Sequence, residues 1–405
     1  MNNNSIVPID WGILLPCAFD KVLLKANMSN ELKNKNKEDK EFIIKSIQKK
    51  IRLGKYKFNE WYARLDNKKD GGKRPIISPT FKDRIVLSAI CEYLNNLLFH
   101  HFDRVRNYSY AYQKGKSFRD ALLYLKKIYH KRNVILKIDI KKFFENINKQ
   151  HVLGILAKFP IDPYVFNLIT KSLNPILKGP ATKEAYIAIK NGIPQGNAVS
   201  SILSNLYLWD LDNYCRREKI KMIRYADDMV FICKKEHTAK TLLSEIEIYL
   251  REKRGLEIHQ ISFDSKAKSS IYNNLKNRHL KYLGVEFDGE LLLLNKEYHV
   301  RFLKNIKNII NSNSPDKKEL LQNRINQWCE MYAFLHIDKE NLDEISEIIN
   351  TLGQEFLKED WEEINIFKKF MMCKNKQKRK WFQLKPKHPP FNEEYDWLQY
   401  YQYYD

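Results

Sequence analysis

Ile223-Arg224-Tyr225-Ala226-Asp227-Asp228-Met229-Val230-Phe231-Ile232 is the stretch on which the fold turns. Two arms rich in β-branched and aromatic residues flank a short break that holds two adjacent aspartates. The arms read as strands and the break as a tight hairpin turn. A hairpin places its turn carboxylates at the tip, clear of the sheet. Adjacent carboxylates repel unless a cation lies between them, so an apolar hairpin tipped with Asp227 and Asp228 points to a hard metal ion. An Asp-rich surface turn looks the same in isolation, and for the dipeptide alone the plain turn is favoured.

A second segment changes that balance. Val134-Ile135-Leu136-Lys137-Ile138-Asp139 reads as a strand with Val134, Leu136 and Ile138 on one face. Asp139 falls on the other face with Ile135 and Lys137. Phe143-Phe144 follows and opens a helix. A strand-end carboxylate beside a hairpin-tip carboxylate suits two Mg²⁺ ions, roughly 3.5–4 Å apart, that clamp the attacking and leaving oxygens of phosphoryl transfer.

The surrounding chain fits a large polyanionic partner. Its 405 residues carry 71 Lys and Arg against 49 Asp and Glu, a net charge of +22, which with 13% aromatics makes nucleic acid the leading candidate. At 43% hydrophobic residues the chain can build a core, and its length predicts two or three domains. No apolar run reaches the roughly 18 residues of a membrane-spanning helix, so no membrane partner is expected. The six cysteines are scattered without a C-x-x-C pair, which argues against structural zinc and disulfides and fits a cytoplasmic location.

Residues 1–60 read as helical and basic. A hairpin is expected from Trp61-Tyr62-Ala63-Arg64-Leu65 through Asp70-Gly71-Gly72 to Lys73-Arg74-Pro75-Ile76-Ile77. Strands and helices mix from 134 to 290. Beyond about 295 the pattern is helical, with one stripe of Val300, Leu303, Ile306 and Ile310 beside Arg301, Lys304 and Lys307. Two more helices carry Leu321, Ile325, Trp328 and Tyr332, then Leu342, Ile345, Ile349, Leu352 and Phe356. Nine Lys or Arg and no acidic residue lie between Ile364 and Asn392, and the last segment is rich in tyrosine.

In this order the segments resemble a reverse transcriptase. Tyr225-Ala226-Asp227-Asp228 is similar to that family's Y-x-D-D box. Asp139 with Phe143-Phe144 is similar to its D-x-x-x-F-F strand. Asn191-Gly192-Ile193-Pro194-Gln195-Gly196 resembles the G-x-P-Q-G box, and Lys73-Arg74-Pro75-Ile76 the fingers strand that grips the triphosphate. Lys281-Tyr282-Leu283-Gly284 resembles the primer-grip turn. Lys268-Ser269-Ser270-Ile271 resembles the family's Lys motif, with Lys266 as the alternative. The boxes cover about residues 61–290, and their order makes chance a poor explanation.

The resemblance implies an α/β (α+β) right-hand polymerase with an antiparallel palm sheet and an α-helical thumb. N-terminal helices and fingers would occupy 1–130, the palm 131–290, the thumb 291–375 and a basic, aromatic tail 376–405. It implies RNA-directed DNA synthesis with two Mg²⁺ ions. Asp139, Asp227 and Asp228 would be catalytic. Asp139, Asp227 and the Ile140 carbonyl would hold metal, with Asp228 assisting from behind. Lys73, Arg74, Phe144, Pro194, Gln195, Gly196 and Lys268 would meet the dNTP. Phe144 would be the ring that leaves no room for a 2′-hydroxyl, while Phe143 packs. Tyr282, Leu283, Gly284, Arg301, Lys304, Lys307, Lys376, Lys378, Arg379 and Lys380 would contact nucleic acid.

Other signals read as bland. Arg84 is as well explained by a solvated helix charge. His100-His101 reads as surface or groove, Gly115-Lys116-Ser117 as a template-contacting turn, and Asp210 and Asp212 as helix-surface charges. No RNase H domain is expected after the thumb, and without a Cys/His cluster no nuclease either. Asp120-Ala121-Leu122-Leu123-Tyr124 and Lys281-Tyr282-Leu283-Gly284 depart from the retron pattern. What remains resembles the stand-alone, defence-associated bacterial enzymes, whose partners are a structured non-coding RNA template and its cDNA. A retron or group II intron-type enzyme, or a non-catalytic RNA-binding scaffold, is the alternative. Priming would use an RNA end, or a tyrosine hydroxyl among Tyr400, Tyr401, Tyr403 and Tyr404.

Overall fold

The computed structural model describes residues 5–25, 34, 36–67, 71–262, 267–273, 275, 277–294, 296–312, 314, 316–357 and 361–383, with the backbone alone for Lys25, Lys296, Glu297 and 378–383. The chain divides into two units, 1–283 and 284–405, each with its own hydrophobic core.

The first unit opens with α1 (Trp11–Lys25) and α2 (Lys40–Arg52). Ile43, Ile44, Ile47 and Ile51 bury one face of α2, which is why a Lys-rich sequence holds a helix there. β1 (Trp61–Asn67) and β2 (Lys73–Ser78) form the expected antiparallel hairpin, with Asp66 opposite Arg74. Then come α3 (Phe81–Leu97), α4 (Phe99–Arg104) and α5 (Phe118–Ile128). Thr80 caps α3, and the fully buried Asp83 accepts from Tyr56 Oη, Trp61 Nε1 and the Asn59 amide. One carboxylate thus ties the hairpin to the helix.

β3 (Val134–Asp139) runs through Lys142, at φ +44°, into the single turn α6 (Phe143–Asn146). Next are α7 (Lys149–Leu156), α8 (Pro163–Ser172), the two-residue β4 (Leu177–Lys178), which pairs in parallel with β1, and α9 (Thr182–Ile189). α10 (Ala198–Tyr207) and α11 (Trp209–Arg217) precede β5 (Met222–Tyr225), β6 (Asp228–Cys233), α12 (Glu236–Arg254), β7 (Ser270–Tyr272) and β8 (Leu280–Tyr282). The central sheet has the order β5-β6-β3-β7, antiparallel throughout. Met229 to Cys233 are all buried, so β6 reads as a continuous apolar run because neither face meets water; α12 covers β3 and β6. This is the mixed α/β architecture with an antiparallel sheet that the sequence predicts.

In the second unit β9 (Val285–Phe287) and β10 (Leu292–Leu294) pair antiparallel. α13 (Lys296–Ile310), α14 (Lys317–Tyr332), α15 (Lys339–Leu357) and α16 (Ile366–Gln383) share one core. The buried stripe of α13 is Phe302, Ile306 and Ile310, while Val300 is 67% exposed. The helix is rotated from the expected stripe because Phe302 stacks on Trp328, with ring centroids 4.6 Å apart. A fourth helix joins the three expected: α16 enters the core through Ile366 and Phe370 and carries the basic run onward as helix to Gln383. The tail tyrosines Tyr400, Tyr401, Tyr403 and Tyr404 lie outside the described residues. No helix among the described residues is long and apolar enough to cross a membrane.

Candidate active site

Pairing register assembles the carboxylates. Asp139, the last residue of β3, lies directly opposite Asp228, the first of β6. Residues opposite one another in an antiparallel pair point to the same face, so both acids leave the sheet on one side. The loop between β5 and β6 is Ala226-Asp227 alone, with Ala226 in the left-handed region at φ +58°. A two-residue hairpin loop needs such a conformation, and alanine adopts it only under strain. Asp227 therefore sits at the tip. Asp228 does not, contrary to the sequence reading: it is a strand residue, half-buried beside Lys137, whose Nζ is 3.9 Å from Asp228 Oδ1.

Burial shows in the acid strengths. Burial, with Asp139 and Asp227 adding to it, pushes Asp228 up to about 8 against the pull of Lys137. Burial also raises Asp227, opposed by its own amide and by Arg74, Lys268 and Arg224. Asp228 Oδ1 is buried without a hydrogen-bond partner. A buried carboxylate oxygen with no hydrogen bond, near Asp139 and Asp227 and with Lys137 at 3.9 Å, is an environment that a cation would relieve, so the residues fit a divalent metal. Among the described residues no three His, Cys, Asp or Glu side chains form a metal cage by themselves. Mg²⁺ commonly takes only one or two protein carboxylates and completes its shell with water and substrate phosphates.

Neighbouring segments fix the β3 end. The Asp139 amide donates to Ser269 Oγ at 3.0 Å, and the His259 amide donates to the Asp139 carbonyl at 2.9 Å. His259 Nε2 lies 3.8 Å from Asp139 Oδ2, a neighbour that no sequence spacing indicated. Ile140 bridges Ile258 with its side chain buried. Lys268 is half-buried within electrostatic reach of Asp227; Lys266 lies outside the described residues.

The loop 191–197 joins the β1–β2 hairpin to the helix turn that holds Phe144. Ile193 N donates to the Phe144 carbonyl at 2.8 Å, and Ile77 N donates to the Gln195 carbonyl at 2.8 Å. A Cβ on Gly192 would lie 2.4 Å from that same Phe144 oxygen. Gly196, at φ +106°, lies so close to β2 that its Cβ would meet the Ile77 oxygen at 2.4 Å. The close approach that Gly196 permits is thus to β2, where the sequence reading assigned it to a nucleotide. Pro194 is buried inside the protein, Gln195 is half-buried and Gly196 exposed. Lys73 and Arg74 are exposed on β2. Phe143 is buried and Phe144 half-buried against the same core.

Three expectations need correction. Tyr282 is 1% exposed and cannot meet nucleic acid. Its one hydroxyl proton is shared between the carbonyls of Ile223, at 3.2 Å, and Asp228, at 3.4 Å, so it braces the β5–β6 hairpin. Leu283 and Gly284, at φ +50° and +80°, form the turn after it. Asp212 is no surface charge: it is fully buried and accepts from Arg224 Nε at 2.7 Å, with a second bond from Arg224 Nη2. Asp210 is the exposed one of the two and pairs with Arg254. Gly115-Lys116-Ser117 closes on itself: Ser117 forms a capping box with Asp120, and Lys116 Nζ lies 4.5 Å from the Tyr110 ring centroid.

Arg224 is the residue that sequence reasoning missed. It is 0% exposed, and besides Asp212 it donates to Asn205 Oδ1, Ser109 Oγ and the Ala226 carbonyl, the last at 3.0 Å. The guanidinium fork thus holds the strained turn from beneath. A lone Arg before the aspartates read as strand, and its partners lie 12 and 115 residues away in Asp212 and Ser109. In the second unit Arg301, Lys304 and Lys307 are exposed together on α13, as is Lys376 on α16. Of Lys378, Arg379 and Lys380 the helical backbone is described.

The sequence is similar to those of known proteins. The family described as reverse transcriptase (RNA-dependent DNA polymerase) matches residues 67–287. The COX1/OXI3 intron 1 protein of Saccharomyces cerevisiae is 24% identical over 77% of this chain and 36% of its own length. The group II intron-encoded protein LtrA of Lactococcus lactis is 27% identical over 46% of this chain and 30% of its own. The retron Ec83 reverse transcriptase of Escherichia coli is 24% identical over 40% of this chain and 48% of its own. The chain thus spans about a third to a half of the length of these relatives.

Proposed function

The chain belongs to the reverse transcriptase (RNA-dependent DNA polymerase) family, and we propose that it makes cDNA from an associated structured non-coding RNA, in defence against phage. The observation that carries the polymerase reading is the shared sheet face of Asp139 and Asp228 with Asp227 at the adjoining tip. Asp139, Asp227 and the Ile140 carbonyl would hold two Mg²⁺ ions. When bound, these ions supply a more acidic primer 3′-hydroxyl and charge neutralisation at the triphosphate. Asp228, paired with Lys137, positions the tip. Arg74 and Lys73 grip phosphate oxygens as planar and point cations. Lys268 stands beside Asp227 for the departing pyrophosphate. Phe144 lies under the sugar and excludes ribose.

The partner is read from charge and pattern. The net charge of +22 and the exposed cations of α13 and α16 suit a folded RNA. The departures at Asp120–Tyr124 and Lys281–Gly284 favour a defence enzyme over a retron, and the cytoplasm is its expected location. A second reading, an intron-encoded enzyme, is favoured by the LtrA and yeast intron-protein matches. Sequencing the nucleic acid that co-purifies with the protein separates the two: intron sequence supports the second reading, a short structured transcript the first.

Primer extension tests the chemistry. Asp227→Ala should abolish dNTP incorporation while leaving fold and RNA binding near normal, because positioning and charge neutralisation supply most of this catalysis. Wild-type extension by that variant rejects the site. An inactive wild-type protein that still binds RNA tightly would instead indicate a scaffold.

A further inference from the structure

We propose that Tyr112 is a specificity residue of the nucleotide site, a second aromatic wall that acts with Phe144 on the sugar of the incoming nucleotide. This rests on the reading of Phe144 above. The segment before Tyr112 is tied to the catalytic hairpin. Arg224 N donates to the Tyr108 carbonyl at 2.7 Å and Tyr110 N to the Arg224 carbonyl at 2.9 Å. Asn205 Nδ2 donates to the Ala111 carbonyl at 2.6 Å. The chain is thereby fixed beside a residue that stands two positions before Ala226, and Tyr112 is the next residue along.

Tyr112 takes φ +57°, a region that bulky side chains avoid, and the residue is 43% exposed. Its neighbour Tyr110, at 2%, serves the core in its place. A strained aromatic, exposed on one side and held by a locked backbone, is the pattern expected of a functional position. The surroundings say what it faces. Its ring meets Phe144 edge-on, with centroids 6.5 Å apart and planes at 84°. Its hydroxyl lies within electrostatic reach of Asp227, Tyr225 and Arg74. Desolvation and the Asp227 carboxylate push that phenol up to about 12, so it keeps its proton and acts as a donor at neutral pH. The ring supplies an apolar wall to the sugar's C–H groups, and the hydroxyl donates to a sugar or phosphate oxygen. A 2′-hydroxyl would have to fit between Tyr112 and Phe144.

The test is competition between dTTP and UTP on one RNA template, by wild type, Tyr112→Ala, Tyr112→Phe, Tyr112→Gly and Phe144→Ala, with melting temperatures measured beside it. Tyr112→Ala should raise UTP use relative to dTTP by about tenfold or more. Tyr112→Phe should raise the dTTP KM with kcat near wild type. Tyr112→Gly should relax sugar choice while melting no lower than wild type, since glycine relieves the strained φ; a residue of merely structural value would lose stability there. If Phe144→Ala relaxes sugar choice and neither Tyr112→Ala nor Tyr112→Gly does, Tyr112 is no sugar wall and the Phe144 reading stands. If Phe144→Ala also leaves the ratio unchanged, the gate itself has been misplaced. A change in template affinity alone, with constant sugar choice, assigns Tyr112 to the template and overturns the proposal.

Discussion

Asp228 and Asp227 are neighbours in sequence that occupy different places, and backbone conformation divides them. Asp227 occupies a two-residue turn; Asp228 is already paired in β6 opposite Asp139. With its acid pushed from 3.8 up to about 8, folded Asp228 keeps a proton that the unfolded chain releases. Its contribution to stability is therefore full below its unfolded pKa and lost as pH rises through about 8. In chelator, the melting temperature of wild type should fall relative to Asp228→Asn between about pH 5 and pH 8, and Mg²⁺ should narrow the gap at the upper end. Parallel curves with no metal effect would mean that Asp228 does not titrate in this window. Phe144 is the second residue-scale case. Phe144→Ala should let rNTPs compete with dNTPs; unchanged preference would return Phe144 to the core.

At the scale of elements, two connections hold the site in shape. Arg224 links β5 to α11 through Asp212, to α10 through Asn205 and to the turn through the Ala226 carbonyl. Breaking a buried pair leaves an uncompensated charge, so Arg224→Leu should lower unfolding stability in urea by about 3–5 kcal/mol. Adding Asp212→Leu should restore part of it, because the orphaned carboxylate is gone; no recovery would show that the pair is not coupled. The second connection is the 191–197 loop, held to Phe144 on one side and Ile77 on the other. Gly192→Ala places a Cβ 2.4 Å from the Phe144 oxygen. The turn must shift, and sugar discrimination should weaken with it while RNA binding persists. Intact discrimination would mean that the loop does not set the position of Phe144.

Across the whole molecule the governing quantity is charge. The excess of 22 positive charges is concentrated where acidic residues are missing, between Ile364 and Asn392, and in the exposed row of α13. Replacing Lys376, Lys378, Arg379 and Lys380 by Gln should weaken RNA binding and flatten its salt dependence, by about 0.7–0.9 log units of slope for each phosphate no longer neutralised. A salt titration with an unchanged slope would reduce the run to a solvated helix surface. Changing Arg301, Lys304 and Lys307 in the same way tests the row on α13 independently.

By itself the sequence determined the order of the boxes, the strand at Val134–Asp139 and the hairpin at Ile223–Ile232, and the acids at their junction. Those are local facts: apolar alternation, turn chemistry and residue type are legible within a dozen positions. The helical character of the second unit was legible for the same reason. Most of its buried stripes were legible too, Ile306 and Ile310 among them; the inward turn of Phe302 in place of Val300 was not, since Phe302 and Trp328 choose each other across two helices. Tertiary structure alone decided that Tyr282 braces a strand, that Asp212 is buried, and that Gly196 makes room for β2. It alone joined Arg224 to Ser109, and Tyr112 to Phe144. Each of those facts depends on partners brought together by pairing register and core packing, and such partners leave no periodic trace in the sequence.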